Sequence, residues 1–175
     1  MLEIAIWLSE TKWSIALLES LYMYPWIESA HVLSICFFVG ILLFVDLRLM
    51  GVAFTKLPIS EMNKKVLPWS LLGFGLMTLT GFLLFYAIPV RSYQNIFFRF
   101  KVILILFAGL NAFLFHRQMK LEGMNWDEGK SIPKSVHLKA AASLVIWSGV
   151  IISGRMIAYN WFDCDRQPQP EWVNW

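Results

Sequence analysis

The sequence predicts an all-α integral membrane protein, a four-helix bundle preceded by an N-terminal amphipathic interfacial helix. Three observations carry that prediction. Of 175 residues, 58% are hydrophobic and 15% charged, and mean hydropathy is +0.58, outside the balance of a water-soluble domain. Four apolar runs approach the length that crosses a hydrocarbon core of about 30 Å at about 1.5 Å per helical residue. Basic residues concentrate in alternate connections. Unpaired backbone groups are costly in lipid, so the runs are helices rather than strands of an open sheet.

Residues 9–24 form the expected interfacial helix. Trp13, Leu17, Leu21 and Tyr24 recur at helical spacing, while Lys12 and Glu19 fall off that stripe. The start lacks a basic leader segment, and Glu3, Glu10 and Lys12 interrupt it, so it does not read as a cleaved signal peptide. Pro25 is expected to separate this helix from the first span, 26–49. That span has Glu28 and His31 near its start and Asp46 and Arg48 near its end. The second, 69–90, carries a charge-free run from Trp69 to Val90. The third, 96–115, holds Arg99 and Lys101 early, and the fourth, 139–162, holds Arg155. A tail, 163–175, with Pro168 and Pro170, follows as an extended surface segment. The chain is read as one domain, 1–175.

Orientation follows from the basic residues. Lys56, Lys64 and Lys65 lie in the first connection, and Arg117, Lys120, Lys130, Lys134 and Lys139 in the third, against Lys12, Arg91 and Arg166 on the other side. Short basic loops stay in the cytoplasm, which places both termini on the extracytoplasmic face of a bacterial inner membrane. The net charge of +3 therefore reports topology and contact with anionic lipid, not nucleic-acid binding. Trp26, Trp69, Tyr93, Tyr159 and Trp161 fit an aromatic belt. Cys36 and Cys164 form no CxxC pattern, so neither a disulfide nor a zinc site is expected.

Ionisable side chains within spans are costly and are functional-site candidates by default. His31, Lys101 and Arg155 come from three helices to one outer depth, an arrangement suited to haem propionates, a proton path or a quinone. Alternatively, His31 bonds Glu28 or a backbone carbonyl near the interface. Lys101 is expected to face inward along a stripe with Ala108, Asn111 and Ala112, whereas Arg99 snorkels to the headgroups. At the other end, His116 and His137 form either a bis-imidazole haem pair or two solvated rim residues. Asp46 and Arg48 read as a local charge pair. Gly73, Gly75, Thr80 and Gly81, with Ser34 and Gly40, permit close helix approach or leave room for a flat cofactor. Met77 and Met156 are packing residues or soft metal ligands.

The run from His31 to Gly40, then Asp46-Leu-Arg-Leu-Met-Gly51, Thr80-Gly81, and Phe100-Lys101 with Asn111 further on, resembles bacterial membrane proteins of the CopD copper-resistance and HemJ-type protoporphyrinogen oxidase superfamily. The likeness spans about residues 28–118. It implies a helical bundle and, on the HemJ side, a b-type haem with the histidine and lysine that match His31 and Lys101 as functional residues. On the CopD side it implies copper handling. This chain differs in lacking a Met-rich or His-rich copper motif and in ending its first span with Asp46-Leu-Arg48 rather than a proline-arginine pair.

Three functions follow as expectations. The first is a haem-b-binding redox or electron-transfer protein, with His31 as axial ligand, Lys101 and Arg155 on propionates or an anionic substrate, Met156 as a second ligand, and a quinone or periplasmic redox partner. The second is a copper-handling or transport subunit using His31 and Met156. The third is a non-catalytic structural subunit of a homo-oligomer or membrane complex.

Overall fold

A computed structural model describes residues 2–127 and 132–159. The tail 163–175, with Cys164, lies outside the described residues. All regular structure among the described residues is helical: α1 (Leu2–Ser9), α2 (Lys12–Glu19), α3 (Met23–Leu49), α4 (Ile59–Ala87), α5 (Pro89–Gln94), α6 (Ile96–Asp127) and α7 (Lys134–Ala158). Four of these, α3, α4, α6 and α7, are long and apolar enough to cross a membrane. Large apolar side chains such as Leu79, Phe82, Leu106, Phe113, Val145 and Ile152 point outward. A lipid solvent accounts for that pattern, which water would not tolerate over so much surface.

The N-terminal segment departs from the single helix expected over 9–24. Thr11 breaks it: its backbone is extended, and its hydroxyl accepts from the Ser14 N–H, starting α2 afresh. The Ser20 hydroxyl then accepts from the Met23 N–H at 3.1 Å, so the first span begins at Met23. Pro25 sits in the first turn of α3, where its missing N–H has no intrahelical partner to lose. The Thr11 and Tyr86 hydroxyls lie 2.6 Å apart, and the Ser14 hydroxyl donates to the Tyr86 carbonyl at 2.8 Å. These bonds seat α2 on the end of α4 and leave Trp13 and Leu21 exposed.

The end of the bundle holding α1, α2 and α5 is called the near end, and the end with the α3–α4 and α6–α7 connections the far end. At the far end α3 stops in a Schellman motif. The Val52 N–H bonds the Leu47 carbonyl and the Gly51 N–H bonds the Arg48 carbonyl, both at 3.1 Å, with Gly51 at φ +72°. The helix α4 starts ten residues before the expected Trp69, because Ile59 and Met62 are buried there, Ile59 in a cluster with Leu49, Val136 and Ala140. It runs through Pro68 and ends at Ala87, not at residue 90, since Pro89 begins α5. Likewise α6 continues well past residue 115, and α7 starts at Lys134.

Two tight pairs, α3 with α4 and α6 with α7, build the bundle. A Cβ on Gly73 would lie 3.0 Å from Phe37 Cδ1 and 3.3 Å from Phe38 Cα, so α3 and α4 approach closely only because that position lacks a side chain. Gly75 and Gly40 face open space. Phe38, Met77, Ala108, Trp147 and Val150 form a central apolar layer. Phe38 and Trp147 meet edge to face at 4.9 Å. Leu49, Ile59, Val136 and Ala140 form a second apolar cluster at the far end.

Candidate functional site

The half-buried imidazole of His31 lies in the near end of the bundle. Glu28 is exposed, and His31 instead meets α4: its Nδ1 is 2.8 Å from the Thr80 hydroxyl. That hydroxyl has one proton, directed at the Leu76 carbonyl at 2.7 Å, with the Met77 carbonyl at 3.1 Å. The contact with His31 is then made by Nδ1–H donating, which assigns the tautomer and leaves the Nε2 lone pair available. A Cβ on Gly81 would come 3.1 Å from His31 Cε1. The glycine therefore clears space for the ring itself, and Thr80-Gly81 acts as a cradle for the imidazole.

Lys101, on α6, points inward to α7, where its ammonium would lie 3.4 Å from a Cβ added at Gly154. It acts electrostatically on His31, which puts the two groups in one region of the near end. Among the described residues no carboxylate stands within ion-pair distance of Lys101. The stripe on α6 continues as expected through buried Ala108 to Asn111, whose Nδ2 donates to the Lys139 carbonyl at 3.0 Å.

The third expected member does not join them. Arg155 is exposed; its guanidinium lies 4.9 Å over the Tyr159 ring and donates to the Tyr159 hydroxyl at 3.1 Å. The reason is helical geometry: Gly154 takes the inward position opposite Lys101, and one residue further turns the side chain by about 100°. Met156 is half-buried on the same helix. Arg99 reaches back to the Tyr93 carbonyl at 2.9 Å and covers its ring.

His116 and His137 do not line one cavity. His116 borders the far-end cavity described below, whereas His137 faces the Pro133 carbonyl, 3.2 Å from its Nδ1, at the first turn of α7. Among the described residues, no three His, Cys, Asp or Glu side chains come together as a metal cage.

The far half holds a site that sequence reasoning missed. Asp46 makes no pair with Arg48, whose Nε donates instead to the Leu57 carbonyl at 2.8 Å. Residues two apart on a helix point away from each other, so the local pair was geometrically unfavourable. Asp46 is 6% exposed, faces Ser143 on α7, and has no hydrogen-bond partner for Oδ2. It borders a cavity of about 310 Å³ lined also by Asn111, His116, Ser143 and Trp147. Its position on the stripe Phe38, Leu42, Val45, Leu49 is the signal that would have found it.

A multi-pass membrane protein with an imidazole and an ammonium held between its helices at one end, and a buried carboxylate at the other, is the class this architecture defines. The chain belongs to the family of unknown function DUF6644, whose model matches residues 20–160. No curated protein and no solved structure matches it.

Proposed function

We propose that this chain is a haem-b-binding redox protein of the bacterial inner membrane, with both termini extracytoplasmic and His31 as the residue that would hold the haem. The single observation that carries the reading is the His31–Thr80 bond. A ligating histidine is held by a hydrogen bond from its other ring nitrogen, which fixes the tautomer and aims the free lone pair. Thr80 supplies that acceptor, and the Gly81 gap fixes the ring plane. Haem brings one-electron chemistry when bound. The chain's own residues supply orientation and charge: Lys101 would be the partner for a propionate, whereas Met156, two residues past Gly154 and so turned about 200° from the face opposite Lys101, is left out as a second ligand. Arg155, turned out onto Tyr159, is left out of this set, as are His116 and His137.

Donor chemistry favours haem over bare copper. A porphyrin brings four nitrogens of its own and asks the protein for one or two ligands, whereas a copper ion needs several protein donors. His31 has no other His, Cys, Asp or Glu grouped with it in such a cage among the described residues. Copper handling by His31 and Met156, the function implied by the CopD resemblance, is therefore the second reading. A structural subunit is the third. Electrons would pass to or from a quinone or a periplasmic partner.

The reduced-minus-oxidised spectrum of the detergent-purified protein tests this. Soret and α bands that disappear in His31→Ala and persist in His137→Ala are expected. Absence of both bands after haem supplementation, with copper bound in stoichiometric amount, would replace haem by copper; absence of both cofactors would leave the structural subunit.

A further inference from the structure

We propose that the far-end cavity is a binding site for a lipid-soluble hydroquinone, with the Asp46 carboxylate accepting a hydrogen bond from one ring hydroxyl. The inference does not rest on haem binding at the near end.

Its first support is the carboxylate. Asp46 is more than nine-tenths buried, borders the cavity, and leaves Oδ2 without a partner. A buried acceptor is almost always satisfied, so an orphan on a residue that lines a cavity marks a place where a donor belongs. The second support is the wall. Phe38, Phe74, Phe115 and Trp147 line the space, and Phe38 packs against both Phe74 and Trp147. Such faces and edges receive a flat aromatic ring. Volume agrees: about 310 Å³ is at the small end of ligand pockets, mostly apolar with a few polar groups that fix orientation.

The third support is access. The helices α4 and α6 pack far less closely than the two tight pairs. The cavity reaches this gap, because its lining includes Leu71 on α4 and Gly109 and Ala112 on α6, all three exposed and all within the candidate spans. A ligand that lives in the hydrocarbon enters there; a water-soluble one does not. Polar groups on the other helices, Asn63 on α4 and His116 on α6, are available to a second hydroxyl across the ring. A hydroquinone carries donors at both ends of a flat ring and an apolar tail for the portal, and that combination selects it over a fatty alcohol or a simple aromatic.

The probe is the decyl-substituted dimethoxy-methyl hydroquinone, titrated under reducing conditions into the full-length protein in detergent, with tryptophan fluorescence as the readout. Saturable quenching is expected, lost in part in Trp147→Phe, which removes the reporter in the wall. Asp46→Asn exchanges one carboxyl oxygen for an amide group that donates rather than accepts and is expected to weaken binding about tenfold. The hydroquinone dimethyl ether, which cannot donate, is expected to bind weakly to the unchanged protein. A Cβ at Gly109 would meet nothing within 4 Å, so a larger side chain can start there, and Gly109→Phe is expected to fill the gap and abolish saturable quenching. Equal affinity for the hydroquinone and its dimethyl ether, or undiminished affinity in both Asp46→Asn and Gly109→Phe, would overturn the proposal. So would purely linear quenching in the unchanged protein. None of these readouts involves haem, so failure here leaves the near-end reading to its own spectrum.

Discussion

Replacing Thr80 by valine removes one hydroxyl and almost no volume, and it isolates the bond on which the near-end site depends. In the native protein the His31 Nδ1–H has its acceptor at 2.8 Å. Without it, the half-buried donor loses its best acceptor and keeps only the nearby Met77 carbonyl, at a cost of up to about 1–3 kcal/mol. The ring is then free to change tautomer, turning the Nε2 lone pair into an N–H that cannot ligate. Loss of such a supporting partner typically lowers metal affinity about 10–100-fold, equivalent to about 1.4–2.8 kcal/mol, so the two routes to the magnitude agree. The assay is a haem titration of apo-protein followed at the Soret band, with Thr80→Ser beside Thr80→Val. Serine retains the acceptor and is expected to bind haem within about threefold of the native protein, under 1 kcal/mol. Native-like affinity in Thr80→Val, or a serine variant as weak as valine, would refute the role given to this hydroxyl.

Two further substitutions test the packing. Gly73→Ala places a Cβ 3.2 Å from Phe38 Cβ and 3.3 Å from Phe38 Cα; backbone cannot swing aside, so α3 and α4 must part, at about 1–3 kcal/mol. A lower thermal midpoint by circular dichroism in detergent is expected, while Gly75→Ala, with nothing within 4 Å, leaves the midpoint unchanged or raises it. Gly51→Ala forces a side chain to φ +72° and is expected to cost about 1–2 kcal/mol in the same melt, whereas Gly51→Asn, which tolerates that region, costs less.

Four spans were legible because the bilayer imposes a length and a solvent: few charges over some twenty residues leave a helix little alternative. Their ends were less so. Ile59 and Met62 are buried in a stretch containing Glu61, Lys64 and Lys65, whose charges mask the core face when hydropathy is averaged along the chain. Thr11 and Ser20 split the N-terminal segment through hydrogen bonds that an apolar stripe does not reveal. Within the site, the shared depth of His31 and Lys101 could be counted from the span ends. Rotation about the helix axis could not, which is why Gly154 rather than Arg155 faces Lys101. Asp46 was legible in principle: it shares the inward stripe of α3 with Phe38 and Leu49, and the nearby Arg48 drew attention to the wrong neighbour.

Ligation by the His31 Nε2 is tested most directly by chemical rescue. In His31→Gly the haem band is expected to be lost, and free imidazole, entering the space between Thr80 and Gly81, is expected to restore it in a saturable way. Bands unaltered by His31→Gly, or a lost band that imidazole cannot return in a variant that still folds, would contradict the account.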